Sequence, residues 1–83
     1  MKEFKVKVEI KLKPVVLDPQ GKSVLSALSN LGFGEVHDAR VGKLIELKIS
    51  DGSADNVRQR VDQMCRKLLS NPVIEDFVIH IEE

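Results

Sequence analysis

Cys65, His37 and His80 are the only thiol and imidazole side chains in the 83-residue sequence, and they are scattered. A metal cage needs soft ligands paired about two to five residues apart, and no such pair exists here. A thiol nucleophile needs an imidazole placed beside it. Cys65 instead falls in the series Ala54, Val57, Val61, Met64, Cys65, Leu68, whose helical spacing predicts an inward or core-edge position. His37 and His80 each fall in a stretch of alternating residues and are expected to be polar strand positions. Asp18 and Glu75 are the two acids in unusual settings, but no His or Lys is placed by sequence to make either a general acid or base. Asp18 precedes Pro19, the pairing that caps a helix and opens its first turn. Gly42-Lys43 lacks the upstream glycine and the following Ser or Thr of a phosphate-cradling loop. These residues predict no catalytic or cofactor-binding site and no metal site.

The elements that would position a site follow from periodicity. Phe4, Val6, Val8, Ile10 and Leu12 alternate with Lys5, Lys7, Glu9, Lys11 and Lys13, which predicts a strand with one face buried and one wet. Pro14 removes a backbone donor and should end its pairing. Val24, Leu25, Leu28 and Leu31 form one helical stripe, so a helix is expected over about 19–31, with Gly32 as its left-handed stop. Two more strands are expected, one through His37, Ala39 and Val41 and one through Ile45, Leu47 and Ile49. Gly42-Lys43 is placed between them as a hairpin or bulge, with a positive backbone angle at Gly42. Asp51-Gly52 makes a turn, Ser53 caps a second helix, and Asn71-Pro72 ends it. Phe77, Ile79 and Ile81 mark a final strand.

The order β-α-β-β-α-β predicts an α+β, ferredoxin-like (split βαβ) fold. It has a four-stranded antiparallel sheet with two helices on one face, in a single domain over residues 1–83. Metal-binding or phosphatase members of this topology would need Cys, His or Arg in the loop after the first strand, and Pro14–Asp18 has none. RNA-binding members stack bases on aromatic rings of the third strand, and Gly42–Leu47 holds no aromatic residue.

Thirteen basic and thirteen acidic side chains cancel, which argues against a partner held through phosphates. No apolar run approaches the ~18 residues of a membrane span, so the protein is expected in the cytoplasm, without nucleic acid or membrane as partners. On the open sheet face, Leu44, Ile74 and Val78 join the lysines of the first strand. A partly apolar face and unpaired edges predict association with itself, as a homodimer or dimer of dimers.

Three segments carry a resemblance: Val16-Leu17-Asp18-Pro19-Gln20-Gly21, Arg40-Val41-Gly42-Lys43, and Met64 through Glu75. In this order and spacing the chain resembles the PurS family, the small subunit of phosphoribosylformylglycinamidine synthase in purine biosynthesis. The resemblance implies a non-catalytic subunit of a glutamine-dependent ligase. It would bridge a PurQ-type glutaminase and a PurL-type synthetase and assist ammonia transfer, with ATP and magnesium used by the synthetase alone. Candidate partner contacts are Asp18, Pro19, Gln20 and Gly21, then Arg40, Gly42 and Lys43, then Asn71 and Pro72. The alternative is a stand-alone regulatory domain that binds a small ligand between paired subunits.

Overall fold

A computed structural model describes residues 1–83. Strand β1 (Lys2–Leu12) leads into helix α1 (Pro19–Asn30), strand β2 (Gly42–Asp51), helix α2 (Ala54–Met64) and strand β3 (Glu75–Glu82). One π-helical turn, Cys65–Leu69, extends α2, closed by the Ser70 N–H donating to the Cys65 carbonyl at 2.9 Å. The sheet is antiparallel and three-stranded in the order β2-β1-β3.

The alternation of β1 puts Phe4, Val6, Val8 and Ile10 on the inner face, all fully buried beneath Val57, Val61 and Cys65 of the second helix. Each such buried side chain contributes about 1.5–3 kcal/mol. Ile45, Leu47 and Ile49 of β2 and Phe77, Ile79 and Ile81 of β3 flank this row and are half-buried, because one helix has to cover three strands. The other face carries Lys5, Lys7, Glu9 and Lys11 down its centre, with exposed Leu44 and Val78 directly opposite Glu9.

Two expectations of the architecture fail, and with the first a third, the positive backbone angle at Gly42. The four-stranded sheet is the first: no strand forms over His37–Val41, and Gly42-Lys43 begins β2 rather than turning a hairpin. The backbone of this segment is drawn sideways to the start of α1, where Asp18 accepts the Val41 N–H at 2.8 Å. Its alternating positions also hold only Ala39 and Val41 as apolar residues, little area to bury in exchange for pairing. Gly42 has no positive φ. It is held by close approach instead, since a Cβ there would lie 2.6 Å from the Ile10 carbonyl oxygen.

The second failure is that the helices do not share one sheet face. Helix α1 packs substantially against neither the sheet nor α2, and the molecule is elongated, 51 × 25 × 14 Å. Its radius of gyration of 16.3 Å exceeds the roughly 12 Å of a compact domain of this length. Along α1, Leu25 and Leu28 are half-buried, while Val24 and the following Leu31 and Phe33 are exposed. The ends of α1 follow expectation. Asp18 caps the start, Gly32 (φ +98°) is left-handed, and the Phe33 N–H returns to the Leu28 carbonyl at 2.9 Å.

Candidate functional site

The three segments singled out in the sequence converge on one end of the sheet. Antiparallel pairing sets Lys11 against Gly42 and Leu12 against Glu75. The end of β1 and the starts of β2 and β3 therefore lie together. An open cleft of about 290 Å³ sits there, lined by Ile10, Leu12, Asp18, Pro19, Gln20, Val41, Gly42, Lys43 and Glu75.

Asp18 organises this end. It is 5% exposed, and one carboxylate oxygen accepts the Gly21 N–H at 2.9 Å while the other accepts Val41. Those two N–H groups, in that order, with Arg40 at 3.6 Å adding its charge, hold its pKa below the usual carboxylate value. Gly21 is buried because the Ala39 carbonyl lies directly over it, where a Cβ would stand. Arg40 turns back across the connector after β1, and its guanidinium donates to the carbonyls of Leu12, Lys13 and Val16 at 3.1–3.4 Å. Asp18, Gly21 and Arg40 are thus braces, whereas Pro19, Gln20, Gly42 and Lys43 present surface.

The Asn71-Pro72 corner joins from the far side. Asn71 O accepts the N–H groups of Ile74 and Glu75, and the Glu75 carboxylate accepts the Asn71 N–H at 2.6 Å. Glu75 ties this corner to the cleft it lines, and the Lys13 N–H bonds the Ile74 carbonyl at 2.8 Å. Sequence reasoning missed the apolar side chains beside these braces: Val15 (93% exposed), Leu17 (62%) and Val73 (80%). The available signal was large apolar residues in connectors, where nothing in the chain can bury them.

The two acids lining this cleft already accept hydrogen bonds from backbone donors. The oxygens of Asp18 face fixed donors, and Glu75 is engaged with the backbone of its own corner. Cys65 lies fully buried on the inner sheet face, where burial raises its pKa. His80 is on the opposite face, its Nε2 3.5 Å from Glu9. No three His, Cys, Asp or Glu side chains gather in a way that could hold a metal ion, and no helix is long and apolar enough to cross a membrane.

Residues 5–83 match the sequence profile of the family described as PurS, phosphoribosylformylglycinamidine (FGAM) synthase. The chain belongs to the PurS family. It is 48% identical over 80 residues to phosphoribosylformylglycinamidine synthase subunit PurS of Bacillus subtilis, covering 96% of this chain and 94% of that one. A crystal structure of PurS from Methanocaldococcus jannaschii, one of the subunits of formylglycinamide ribonucleotide amidotransferase, superposes with a TM-score of 0.87 at 41% identity, covering 96% of each chain. A chain in the structure of PurLQS from Thermotoga maritima gives a TM-score of 0.91 at 27% identity, covering 99% of this chain and all of that one. The braced end with its apolar connectors thus belongs to a subunit of a purine-biosynthetic ligase.

Proposed function

We infer that this chain is the non-catalytic small subunit of FGAM synthase. It bridges a PurQ-type glutaminase and a PurL-type synthetase so that ammonia released from glutamine reaches the amidine-forming site. The observation that carries this reading is the likeness, over nearly the whole chain, to a protein within the PurLQS structure. The site geometry supports it from the other direction. The polar side chains at the convergent end brace the backbone, and the exposed residues there are Pro19, Gln20, Lys43, Val15, Leu17 and Val73, a mixture suited to protein contact. On this reading ATP and magnesium act in the synthetase, the glutaminase supplies its own nucleophile, and this chain positions both.

The test is reconstitution of the three components with either glutamine or ammonium as nitrogen source. Free ammonia needs no docked glutaminase, so omitting this chain should abolish glutamine-dependent synthesis and spare most of the ammonia-dependent rate. Lys43→Glu should imitate omission in part. Lys43 is a cleaner probe than Arg40, whose guanidinium braces three carbonyls and whose reversal would disturb the fold locally. If leaving the chain out changes neither rate, the bridging role is wrong.

A further inference from the structure

The connector between β1 and α1 contains Pro14-Val15-Val16-Leu17, consecutive apolar residues with no charge among them. Val15 and Leu17 stand in water, where nothing in the chain can bury them, and an exposed apolar run of this kind marks a contact surface. This run is also held still. The Val16 N–H donates to the Lys13 carbonyl at 2.9 Å, and Arg40 Nη2 donates to the carbonyls of Leu12, Lys13 and Val16. Ordering a loop is a main cost of binding, and these bonds meet it before any partner arrives. Val15 and Leu17 therefore form a braced apolar tip beside the cleft.

The surrounding charges say what the tip meets. Two further clefts flank it, so that Asp38, Arg40, Lys11, Lys22 and Asp76 line this end together with Asp18, Lys43 and Glu75. Every acid among them is committed within the chain. Asp18 accepts the Gly21 and Val41 N–H groups, Asp38 accepts the Ala39 N–H, Glu75 accepts the Asn71 N–H, and Asp76 pairs with Lys13 at 2.6 Å. Of the cations only Arg40 is committed. The ammonium groups of Lys11, Lys22 and Lys43 make no hydrogen bond and no ion pair. We propose that this end docks on an acidic surface of one of the two bridged subunits, with Val15 and Leu17 seated in an apolar recess and carboxylates around it meeting the three lysines. This rests on the bridging role inferred above and adds the chemistry of the surface that is bridged.

A second copy of the chain does not fit here. Contact of this end with itself opposes uncommitted ammonium to uncommitted ammonium, and the carboxylates that could answer them are already bonded. A small anion would satisfy the lysines but leave the tip in water. An acidic surface with an apolar recess answers both. The two parts of the contact then act differently. Burial of Val15 and Leu17 holds the complex together, so their loss speeds dissociation. The lysines act through solvent over about 10 Å at 0.1 M salt, so they govern the rate of association and its dependence on salt.

The test is direct binding over a range of salt concentrations. The chain is labelled at its amino terminus, which is exposed at the opposite end of β1, and titrated by fluorescence anisotropy with the glutaminase and synthetase subunits, singly and together. Val15→Ser with Leu17→Ser should weaken binding about ten-fold or more at every salt concentration. Lys11→Gln, Lys22→Gln and Lys43→Gln together should weaken it at low salt and flatten its salt dependence. Lys5→Gln, Lys7→Gln and Lys48→Gln make the same charge change near the start of β1 and should leave both nearly unchanged. All these side chains are exposed, and circular dichroism checks that each variant folds. The proposal is overturned by a wild-type chain that binds neither subunit, by a tip variant that binds as wild type, or by a control that matches the Lys11, Lys22 and Lys43 variant. A tip variant that loses only self-association, measured by sedimentation, would assign the tip to a second copy and overturn it too. Reconstitution separates this from the bridging role. If glutamine-dependent synthesis requires the chain but tip variants bind normally, the docking surface alone is wrong. If omission changes neither rate while wild type binds through the tip, the bridging role alone is wrong.

Discussion

Gly21→Ala separates helix propensity from tertiary packing, because the two predict opposite signs. Gly21 is the third residue of α1, and in a helix alanine is preferred to glycine by up to about 1 kcal/mol. The structure forbids the gain. A Cβ at Gly21 would collide with the Ala39 carbonyl oxygen and lie 2.7 Å from Asp18 Oδ2. Neither neighbour yields freely: Ala39 is backbone, and the Asp18 carboxylate is held by two N–H groups. Overpacking of this kind costs about 1–3 kcal/mol, so the net effect should be about 1–2 kcal/mol destabilising. For a domain of this length that corresponds to a fall in Tm of about 5–15 °C. The assay is a thermal melt followed by circular dichroism at fixed protein concentration, with amide exchange at Val41 as a local reporter. Gly52→Ala is the control. A Cβ there meets nothing within 4 Å and φ is not positive, so this variant should gain about 0.4–1 kcal/mol through the unfolded state. If Gly21→Ala melts at or above wild type and Val41 stays protected, the close approach of residues 39–41 to α1 is not what shapes this end.

Two further outcomes follow from buried and bonded groups. Cys65 is fully buried with a raised pKa, so a thiol reagent should leave it untouched in native protein and modify it on unfolding; Cys65→Ala should cost about 0.5–1.5 kcal/mol without lowering glutamine-dependent synthesis more than a few-fold, and its abolition in a folded variant would give the thiol a chemical role. Asp18 is held ionised by the Gly21 and Val41 N–H groups, and Asp51 by the Asn56 side-chain amide before its own turn. Their lowered native pKa values give stability that is present above the unfolded carboxylate value of about 4 and lost as pH falls through the native ones. Denaturant midpoints should therefore drop on acidification below about pH 4, and Asp18→Asn should flatten that drop; an unchanged slope would mean Asp18 is no better solvated by these donors than by water.

Local chemistry was legible in the sequence, and the relation between distant segments was not. Asp18-Pro19, Gly32 and Ser53 announce the helix boundaries because capping depends on residues within a turn, and each does what its type implies; the Ser53 hydroxyl, for instance, accepts the Asn56 N–H at 3.2 Å. The inward face of β1 and the placement of Cys65 followed from periods of 2 and 3.6 alone. Periodicity names the apolar side of an element but not what lies against it. Val24, Leu25 and Leu28 of the stripe are helical as expected, with Leu31 just past the helix end, yet the stripe is not on the sheet. His37–Val41 alternates like a strand, but pairing depends on whether its N–H groups have better partners elsewhere, and Asp18 is one. The candidate contacts came from three stretches, and pairing brought all three to one end of the sheet. That residues as different as Gly21 and Arg40 serve there as braces was invisible, since the carbonyls they meet belong to other segments.

The two departures from the expected fold have one cause. Asp18, Gly21 and Arg40 bind residues 39–41 to the head of α1, so helix and segment form a unit set off from the sheet. That unit withholds the fourth strand from the β2 edge and the first helix from the inner face. A chain of this length has little surface to spare, since about 60% burial is already marginal for stability. Leaving a ten-residue edge and an apolar helix stripe uncovered is therefore costly unless other chains cover them. An enzyme places its open surface around reacting groups, but here the uncovered backbone and side chains lie along an edge and a helix that carry no such groups. The energy still available to this molecule lies in association, which is what the bridging role proposed above would use.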